Sequence, residues 1–292
     1  MNERRQRIDN QPYGRALERL FELLYPVHHP YHWPVIGYME DIEAATLDDV
    51  ADFFTTYYAP NNAVLTLAGD FRPDGALQRV EDFFGSLPRG EPIPPVTVSE
   101  TTSQSPRAET MEDAVELSRI YLAASIPAFG DRQWYAADLL ATALSAGKSS
   151  PLYRDLVYER QIATEVSAFA LPTELTGSFV VVATAKPGVD VDVLSSAVEE
   201  HLVAMTESGP NDDDLDRARN KVTTALTDQF QKLDDRADLL SMFTTFFDDP
   251  ERIWQEARVY AELDRDELVD LATRFLQPET RVRLDVIPEG SR

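Results

Sequence analysis

The stretch that decides the fold class is residues 166–185, with the sequence VSAFALPTELTGSFVVVATA. It contains two largely apolar runs, Val166–Leu171 and Ser178–Ala185, on either side of a turn around Gly177. Short runs rich in Val, Phe and Ala, bounded by Pro and Gly, are typical of β-strands. The stretch therefore predicts two antiparallel strands joined by a turn.

The segments before and after this hairpin have residue patterns typical of single strands or helices. Strands are predicted at 118–124 and 282–287, and helices at 132–145, 151–160 and through 190–275, with breaks at Gly209-Pro210 and Asp249-Pro250. Strands and helices in separate runs, without regular β-α-β alternation, indicate an α+β fold. We therefore expect an α+β fold with antiparallel sheets flanked by helices.

The first 90 residues have a different pattern. Helices are predicted near 15–24, after Thr46 and at 74–84, and residues 63–68 have the apolar run of a buried strand. Three helices and one strand are too few elements to build a hydrophobic core for a segment of this length. We therefore expect that part of its sheet is missing. Residues 91–114 begin with a proline-rich run and continue as a polar stretch, which predicts a linker. The predicted division is thus 1–90, linker 91–114, and 115–292.

The composition excludes several classes of protein. Hydrophobic residues make up 43% of the 292, enough for a core, and the chain contains no cysteine, which rules out disulfides and thiolate metal sites. The net charge of −24 disfavours nucleic acid and anionic membranes. No apolar run is long enough to span a membrane. We expect a soluble protein, cytoplasmic or periplasmic. The acidity is explained by a solvated surface or, alternatively, by attraction of basic peptides.

Several phrases occur in an order that resembles a known family. They are NERRQR at 2–7, DNQPYG at 9–14, HPYHWPVIG at 29–37, YYAPNNA at 57–63 and LAGD at 67–70. Together they resemble bacterial members of the insulinase/pitrilysin-like zinc peptidases, the inverted zincins, over nearly the whole chain. The resemblance implies a metallopeptidase fold of the LuxS/mitochondrial processing peptidase type. Residues 1–90 would be the end of a truncated, catalytic-type half, and residues 115–292 a complete noncatalytic half.

The resemblance also identifies one candidate zinc ligand. In the family, an H-x-x-E-H helix supplies two histidine ligands and a glutamate base, and a downstream glutamate completes the site. Glu3 matches that downstream glutamate, but H-x-x-E-H occurs nowhere in the sequence. A catalytic zinc needs three protein ligands. We therefore expect zinc in a full-length parent protein, none in this chain alone, and no peptidase activity from this chain alone.

A second feature of the family, a pair of residues that hold the substrate, is not matched in this sequence. Active relatives carry an arginine and a tyrosine, seven positions apart, that hold the substrate backbone. The matching positions here are Val157 and Thr164, with Arg154 and Tyr158 nearby. The resemblance therefore identifies no substrate-binding residue in this chain.

Three histidines close together form another candidate metal site. His28 and His32 are spaced as on one helix face, with His29 between them, but Pro30 prevents that helix. A structural loop fixed by its aromatic residues is the favoured interpretation over metal binding.

Two functions follow from the resemblance. The first is the noncatalytic half of a zinc endopeptidase, which encloses and positions a peptide substrate and has the missing amino-terminal catalytic half as its partner. The alternative is a nonenzymatic subunit, or a structural partner, of a catalytic homologous chain.

Overall fold

A computed structural model describes residues 1–98 and 107–290. Its strands are β1 (Arg107–Asp113), β2 (Arg119–Ile126), β3 (Ala163–Leu171), β4 (Gly177–Ala185) and β5 (Arg281–Pro288). These strands form one sheet in the order β1-β5-β2-β4-β3. Neighbouring strands are antiparallel except β1 and β5, which run parallel.

Helices make up most of the remaining described chain. They are α1 (Asn2–Arg4), α2 (Ala16–Leu24), α3 (Met39–Ala44), α4 (Leu47–Tyr57), α5 (Pro73–Phe84), α6 (Arg132–Ser145), α7 (Val191–Glu207), α8 (Asp212–Gln231), α9 (Leu233–Phe247), α10 (Glu256–Glu262) and α11 (Arg265–Phe275). Short 3₁₀ segments occupy Pro30–His32, Pro60–Asn62, Pro250–Trp254 and Pro278–Thr280. Each begins with proline, which lacks an N–H group and is therefore well suited to a first helical position. The segments Arg5–Asp9 and Tyr153–Glu159 are π-helical.

The predicted hairpin is present as β3 and β4. The two strands pair in an antiparallel register that places Phe169 opposite Val180, with an irregularity between Ala163 and Glu165. The helix predicted at 132–145 is also present, as α6, and the side chain of Asp131 caps it by accepting a hydrogen bond from the Gln133 N–H. The α+β prediction is confirmed.

The core lies on both faces of the sheet. On one face α2 packs against β5 and β2, where Leu20 and Leu24 are in one buried cluster with Val282, Leu284 and Val286. Helices α6, α7 and α11 contact β2 as well. Side chains alternate between the faces of a strand, and consecutive residues from Ile120 to Ala124 are buried, so both faces of β2 are covered.

The chain divides into two compact units. The first comprises residues 1–39, 98–223 and 259–292 and contains the whole sheet. The second comprises residues 40–97 and 224–258 and contains α4, α5 and α9. The first 39 residues therefore belong with the sheet. The predicted division at 90 and 114 concerns homologous halves rather than compact units, and it stays a prediction.

One predicted strand is wrong. Residues 63–68 form no strand, and Val64, Leu65 and Leu67 are exposed instead of buried. A strand is stabilised by its neighbours, through a hydrogen-bond ladder and cross-strand contacts. Among the residues that the structure describes, no other strand pairs with this segment. An apolar run of this kind without a partner remains an extended segment.

The strand β1 was not predicted. It lies inside the stretch 91–114, whose residues 99–106 are outside the described part of the chain. Its parallel pairing with β5 makes the sheet mixed, whereas the sequence predicted antiparallel pairing alone.

Candidate functional site

Glu3, the predicted zinc ligand, lies in α1 at the start of the chain. Its side chain is 67% exposed, and its carboxylate oxygen Oε1 is 3.2 Å from Nη2 of Arg7, one helical turn further on. An exposed carboxylate beside an arginine is a solvated ion pair. Whether Glu3 is a ligand in a longer protein stays a prediction.

The next residue, Arg4, is buried and anchors this segment. Its guanidinium donates to both carboxylate oxygens of Glu18 and to the carbonyl of Gly37. The hydrogen bond that Arg4 donates to Glu18 raises the pKa of Arg4, against an opposing effect of burial. Arg4 thus fixes the chain start to α2 and to the end of the loop after it. The backbone that carries Glu3 is held in place although the Glu3 side chain is exposed.

The described residues do not form a zinc site. Across residues 1–98 and 107–290, no group of three or more His, Asp or Glu side chains is arranged so that it could hold a metal ion. A catalytic zinc is held by three protein ligands and keeps a fourth position open. The donors among the described residues therefore do not fit a zinc ion, and no chemical step through a metal is assigned to them.

The three histidines at 28–32 form a structural loop. His29 is buried, its Nδ1 accepts a hydrogen bond from the Tyr31 N–H at 3.0 Å, and its ring stacks on Tyr25 with centroids 4.6 Å apart. His32 Nδ1 lies 2.9 Å from the carbonyl oxygen of Tyr25. Burial, and after it the neighbouring His28, lower the pKa of His29. These contacts hold the loop against the end of α2, as the interpretation favoured from the sequence expected.

The two positions that the resemblance matches to the arginine and tyrosine of active relatives hold Val157 and Thr164. Val157 lies in the π-helical segment Tyr153–Glu159, and the Thr164 hydroxyl donates to the carbonyl of Thr184 in the neighbouring strand. The nearby Arg154 is 3.8 Å from Glu159, and Tyr158 is exposed. Neither of these two side chains occupies the matching positions.

The second unit has an apolar surface that the sequence indicated only indirectly. None of residues 40–97 is buried. Large apolar side chains of this segment are exposed, and we call them the 47–96 apolar surface: Leu47, Val50, Phe53, Phe54, Tyr57, Tyr58, Val64, Leu65, Leu67, Phe71, Leu77, Phe83, Phe84, Leu87 and Val96. The sequence signal was the thin core expected for residues 1–90. Large apolar patches that stay exposed are typical of interaction surfaces.

A cavity of about 680 Å³ opens into this surface. It lies between the extended segment after Val64 and helix α5, and Leu67, Val80 and Phe83 contribute to its apolar wall. Arg72 and Arg79 also line it. Within residues 1–98 and 107–290 neither guanidinium has an ion-pair or hydrogen-bond partner, although the chain carries a net charge of −24. The cavity therefore combines apolar walls with two available positive charges.

Comparison with known proteins identifies the family. A family model described as the peptidase M16 inactive domain matches residues 44–222. The chain is 28% identical over 280 residues to the zinc protease PqqE of Helicobacter pylori, an alignment covering 94% of this chain and 62% of that protein. It is 28% identical over 190 residues to a protein of Streptomyces coelicolor named uncharacterized zinc protease SCO5738, covering 63% of this chain and 41% of that protein.

A solved structure has the same fold. A protease from Helicobacter pylori superposes with a TM-score of 0.88 and 24% sequence identity, over 98% of this chain and 69% of that one. At this identity the superposition establishes the fold alone, and it confirms the expected metallopeptidase-like architecture.

The chain covers only part of the length of its curated relatives. The chain spans about three fifths of the length of PqqE and a smaller share of the Streptomyces protein. No helix in the described part of the chain is both long and apolar enough to cross a membrane. Since the family model matches more than half of the 292 residues, the chain belongs to the M16 peptidase family, and its matched segment is the inactive domain of that family.

Proposed function

We propose that this chain is the noncatalytic carboxy-terminal portion of an M16 zinc endopeptidase, in which it encloses and positions a peptide substrate. The matched family model describes an inactive domain, and the curated relatives are named zinc proteases. The motif H-x-x-E-H occurs nowhere in this sequence. A chain with these properties contributes binding and shape, while another segment or chain contributes the catalytic groups.

The observation that carries this proposal is the 47–96 apolar surface. Fully burying one large apolar side chain is worth about 1.5–3 kcal/mol, so a surface with this many exposed apolar side chains gains much from being covered. We propose that the missing amino-terminal part of the catalytic-type half covers it. That part would bring the H-x-x-E-H helix, and Glu3 would add the third ligand.

The contribution of the noncatalytic portion is then physical. A closed chamber excludes water from the reacting groups. A peptide bound in one extended conformation has already lost conformational entropy, so it loses less on reaching the transition state. Val157 and Thr164 replace the arginine and tyrosine of active relatives. Positioning in this chain must therefore use other contacts with the peptide.

A binding experiment tests the docking part of the proposal. The chain is mixed with a catalytic-type M16 segment carrying H-x-x-E-H, taken from the reading frame encoded immediately upstream, and the complex is measured by size-exclusion chromatography and calorimetry. We expect a one-to-one complex and EDTA-sensitive hydrolysis of an unstructured peptide. Leu77→Glu and Phe83→Glu, at largely exposed positions of the 47–96 apolar surface, should abolish both.

A matched control separates docking from general surface effects. Val27 is exposed to a similar degree but belongs to the first unit, so Val27→Glu should leave the complex intact. Complex formation that is unaffected by Leu77→Glu and Phe83→Glu would contradict docking through the 47–96 apolar surface.

A second candidate is a nonenzymatic subunit that pairs with a catalytic homologue. It is favoured by the absence of both H-x-x-E-H and the arginine–tyrosine pair from one sequence. The upstream reading frame distinguishes the two candidates. An in-frame H-x-x-E-H indicates a portion of one polypeptide, whereas a stop codon followed by a separate gene start indicates a subunit.

A further inference from the structure

A second cavity, of about 410 Å³, lies within the first unit. Helix α2 contributes Leu17 and Phe21, the loop after it contributes Trp33 and Ile36, and the end of β3 contributes Leu171. The loop is fixed to the β3–β4 turn because the Tyr31 hydroxyl accepts a hydrogen bond from the Leu175 N–H at 3.0 Å. Helix α2 and the loop after it, together with the distant end of β3, therefore line one cavity.

The polar groups of this cavity already have partners. The Glu18 carboxylate accepts two hydrogen bonds from Arg4, and the hydroxyls of Tyr25 and Ser178 are 2.6 Å apart. Burial raises the pKa of Tyr25 to about 12, so the phenol stays neutral. A charged or strongly polar ligand group would lose its water here without gaining a partner. The cavity is therefore suited to an apolar group.

The size of the cavity limits that group. Sites for small ligands have volumes of about 300–1,000 Å³, and this cavity is near the lower end of that range. It can hold one large aliphatic or aromatic side chain. Trp33 and Val35, which line the cavity, are themselves exposed to solvent and continue the apolar surface out of it. An entering group therefore meets an aromatic side chain of the kind that is enriched at binding hot spots.

The negative charge of Glu174 near the cavity indicates which residues should flank the apolar group of the ligand. Glu174 is exposed and follows the lining residue Thr173. In the part of the chain that the structure describes, its carboxylate has no ion-pair partner. Together with the net charge of −24, this favours a ligand that carries lysine or arginine and disfavours acyl chains with anionic headgroups.

We propose that this cavity binds one large apolar side chain of an extended peptide in which basic residues flank that side chain. The inference rests on the proposed function, because a portion that positions peptides needs contacts of its own in place of the arginine–tyrosine pair. It adds a residue preference to that function: Phe, Leu or Met at one position, with Lys or Arg beside it.

The test uses fluorescence anisotropy on the full chain. The probe is a fluorescein-labelled ten-residue peptide of alternating Ala and Lys with one central Phe. A second peptide has Ala in place of Phe, and a third has Glu in place of every Lys. We expect saturable binding of the first peptide, at least tenfold weaker binding of the second, and no measurable binding of the third. Equal affinity for the first two peptides, or no binding of the first, would overturn the proposal.

Variants place the binding at this cavity. Leu17→Glu puts a charge into the wall, and Ile36→Trp fills the space without a charge. Each should weaken binding of the Phe peptide at least tenfold, whereas the matched control Val27→Glu, outside the cavity, should change it less than twofold. Circular dichroism identifies any variant that fails to fold, in which case the other variant decides. Unchanged binding in a folded variant would refute the site.

The docking proposal and the cavity proposal can be contradicted independently of each other. Leu17→Glu should retain docking of the catalytic-type half, because docking depends on the 47–96 apolar surface in the other unit. Loss of docking by Leu77→Glu with unchanged peptide binding would leave the cavity proposal standing. A chain that docks normally but does not distinguish Phe from Ala would eliminate the cavity proposal alone.

Discussion

Arg4 and Glu18 form a two-point ion pair, with Nη1–Oε1 at 2.7 Å and Nη2–Oε2 at 2.9 Å. Only 7% and 11% of the two side chains are exposed. Arg4 also donates to the carbonyl of Gly37 at 2.6 Å. The pair therefore joins three parts of the chain at the residue next to Glu3, and it fixes the backbone that carries the proposed zinc ligand.

Removing Arg4 should destabilise the first unit. Arg4→Ala leaves the Glu18 carboxylate with little water and no partner, and breaking a buried ion pair in this way costs about 3–5 kcal/mol. Because both side chains retain some exposure, we expect about 2–3 kcal/mol, measured as the free energy of unfolding in urea. The control is Arg7→Ala, which breaks the exposed pair with Glu3 and should have little effect. Equal effects of the two substitutions would contradict the anchoring role of Arg4.

His29 should make stability depend on pH. Burial lowers the pKa of His29 in the folded chain, so below about pH 6.5, the ordinary value, the unfolded chain binds a proton that the folded chain does not. His29 therefore contributes a loss of stability as pH falls through that value. His29→Asn keeps an acceptor for the Tyr31 N–H but does not titrate.

The measurement for His29 is the difference in free energy of unfolding between pH 8 and pH 5.5. We expect a smaller difference in His29→Asn than in the unchanged chain. Val27→Asn, at an exposed position two residues away, serves as the control and should keep the difference of the unchanged chain. A difference that His29→Asn leaves unaltered would show that His29 is not the group responsible.

Arg72 and Arg79 should make docking of the catalytic-type half sensitive to salt. Both line the cavity in the 47–96 apolar surface and lack an ion-pair partner in the described chain, so carboxylates of the docking half are expected beside them. Exposed pairs are worth about 0.2–1 kcal/mol each, so replacing both arginines by alanine should weaken docking about 2- to 30-fold at 50 mM NaCl. The loss should shrink at 500 mM NaCl because salt screens these pairs.

The control for this charge effect is Arg89→Ala, an exposed arginine of the same unit that does not line the cavity. The dissociation constant of the Arg89→Ala chain for the catalytic-type segment, measured by calorimetry at both salt concentrations, should equal that of the unchanged chain. A similar loss in Arg89→Ala would mean that net charge, and not the position of Arg72 and Arg79, governs docking.

The sequence predicted those elements whose pattern is local. The hairpin of β3 and β4 and the helix α6 were predicted because apolar runs and helical spacing are set by neighbouring residues. The strand predicted at 63–68 does not form, because a strand also needs a partner, which no sequence pattern within the segment reveals. Strand β1 was missed for the opposite reason. Its sequence RAETMED is largely polar, and it is a strand because β5 pairs with it at the sheet edge.

The candidate site was less predictable than the fold. Glu3 was identified through the family resemblance, but the Arg4–Glu18 pair beside it joins residues 14 positions apart, and no motif signals it. The cavity near Trp33 combines three segments, of which Leu171 is far from the others in the sequence. The unpartnered state of Arg72 and Arg79 depends on the whole set of ion pairs. Such features require tertiary structure.

We expect that this chain alone neither holds a catalytic zinc nor cleaves peptide bonds. The most direct measurement is zinc content by mass spectrometry of the purified chain after incubation with zinc and desalting, together with hydrolysis of an unstructured peptide with and without EDTA. We predict far less than one zinc per chain and no EDTA-sensitive cleavage, since Glu3 is the one matched ligand in the sequence. One tightly held zinc per chain with EDTA-sensitive cleavage would contradict the claim.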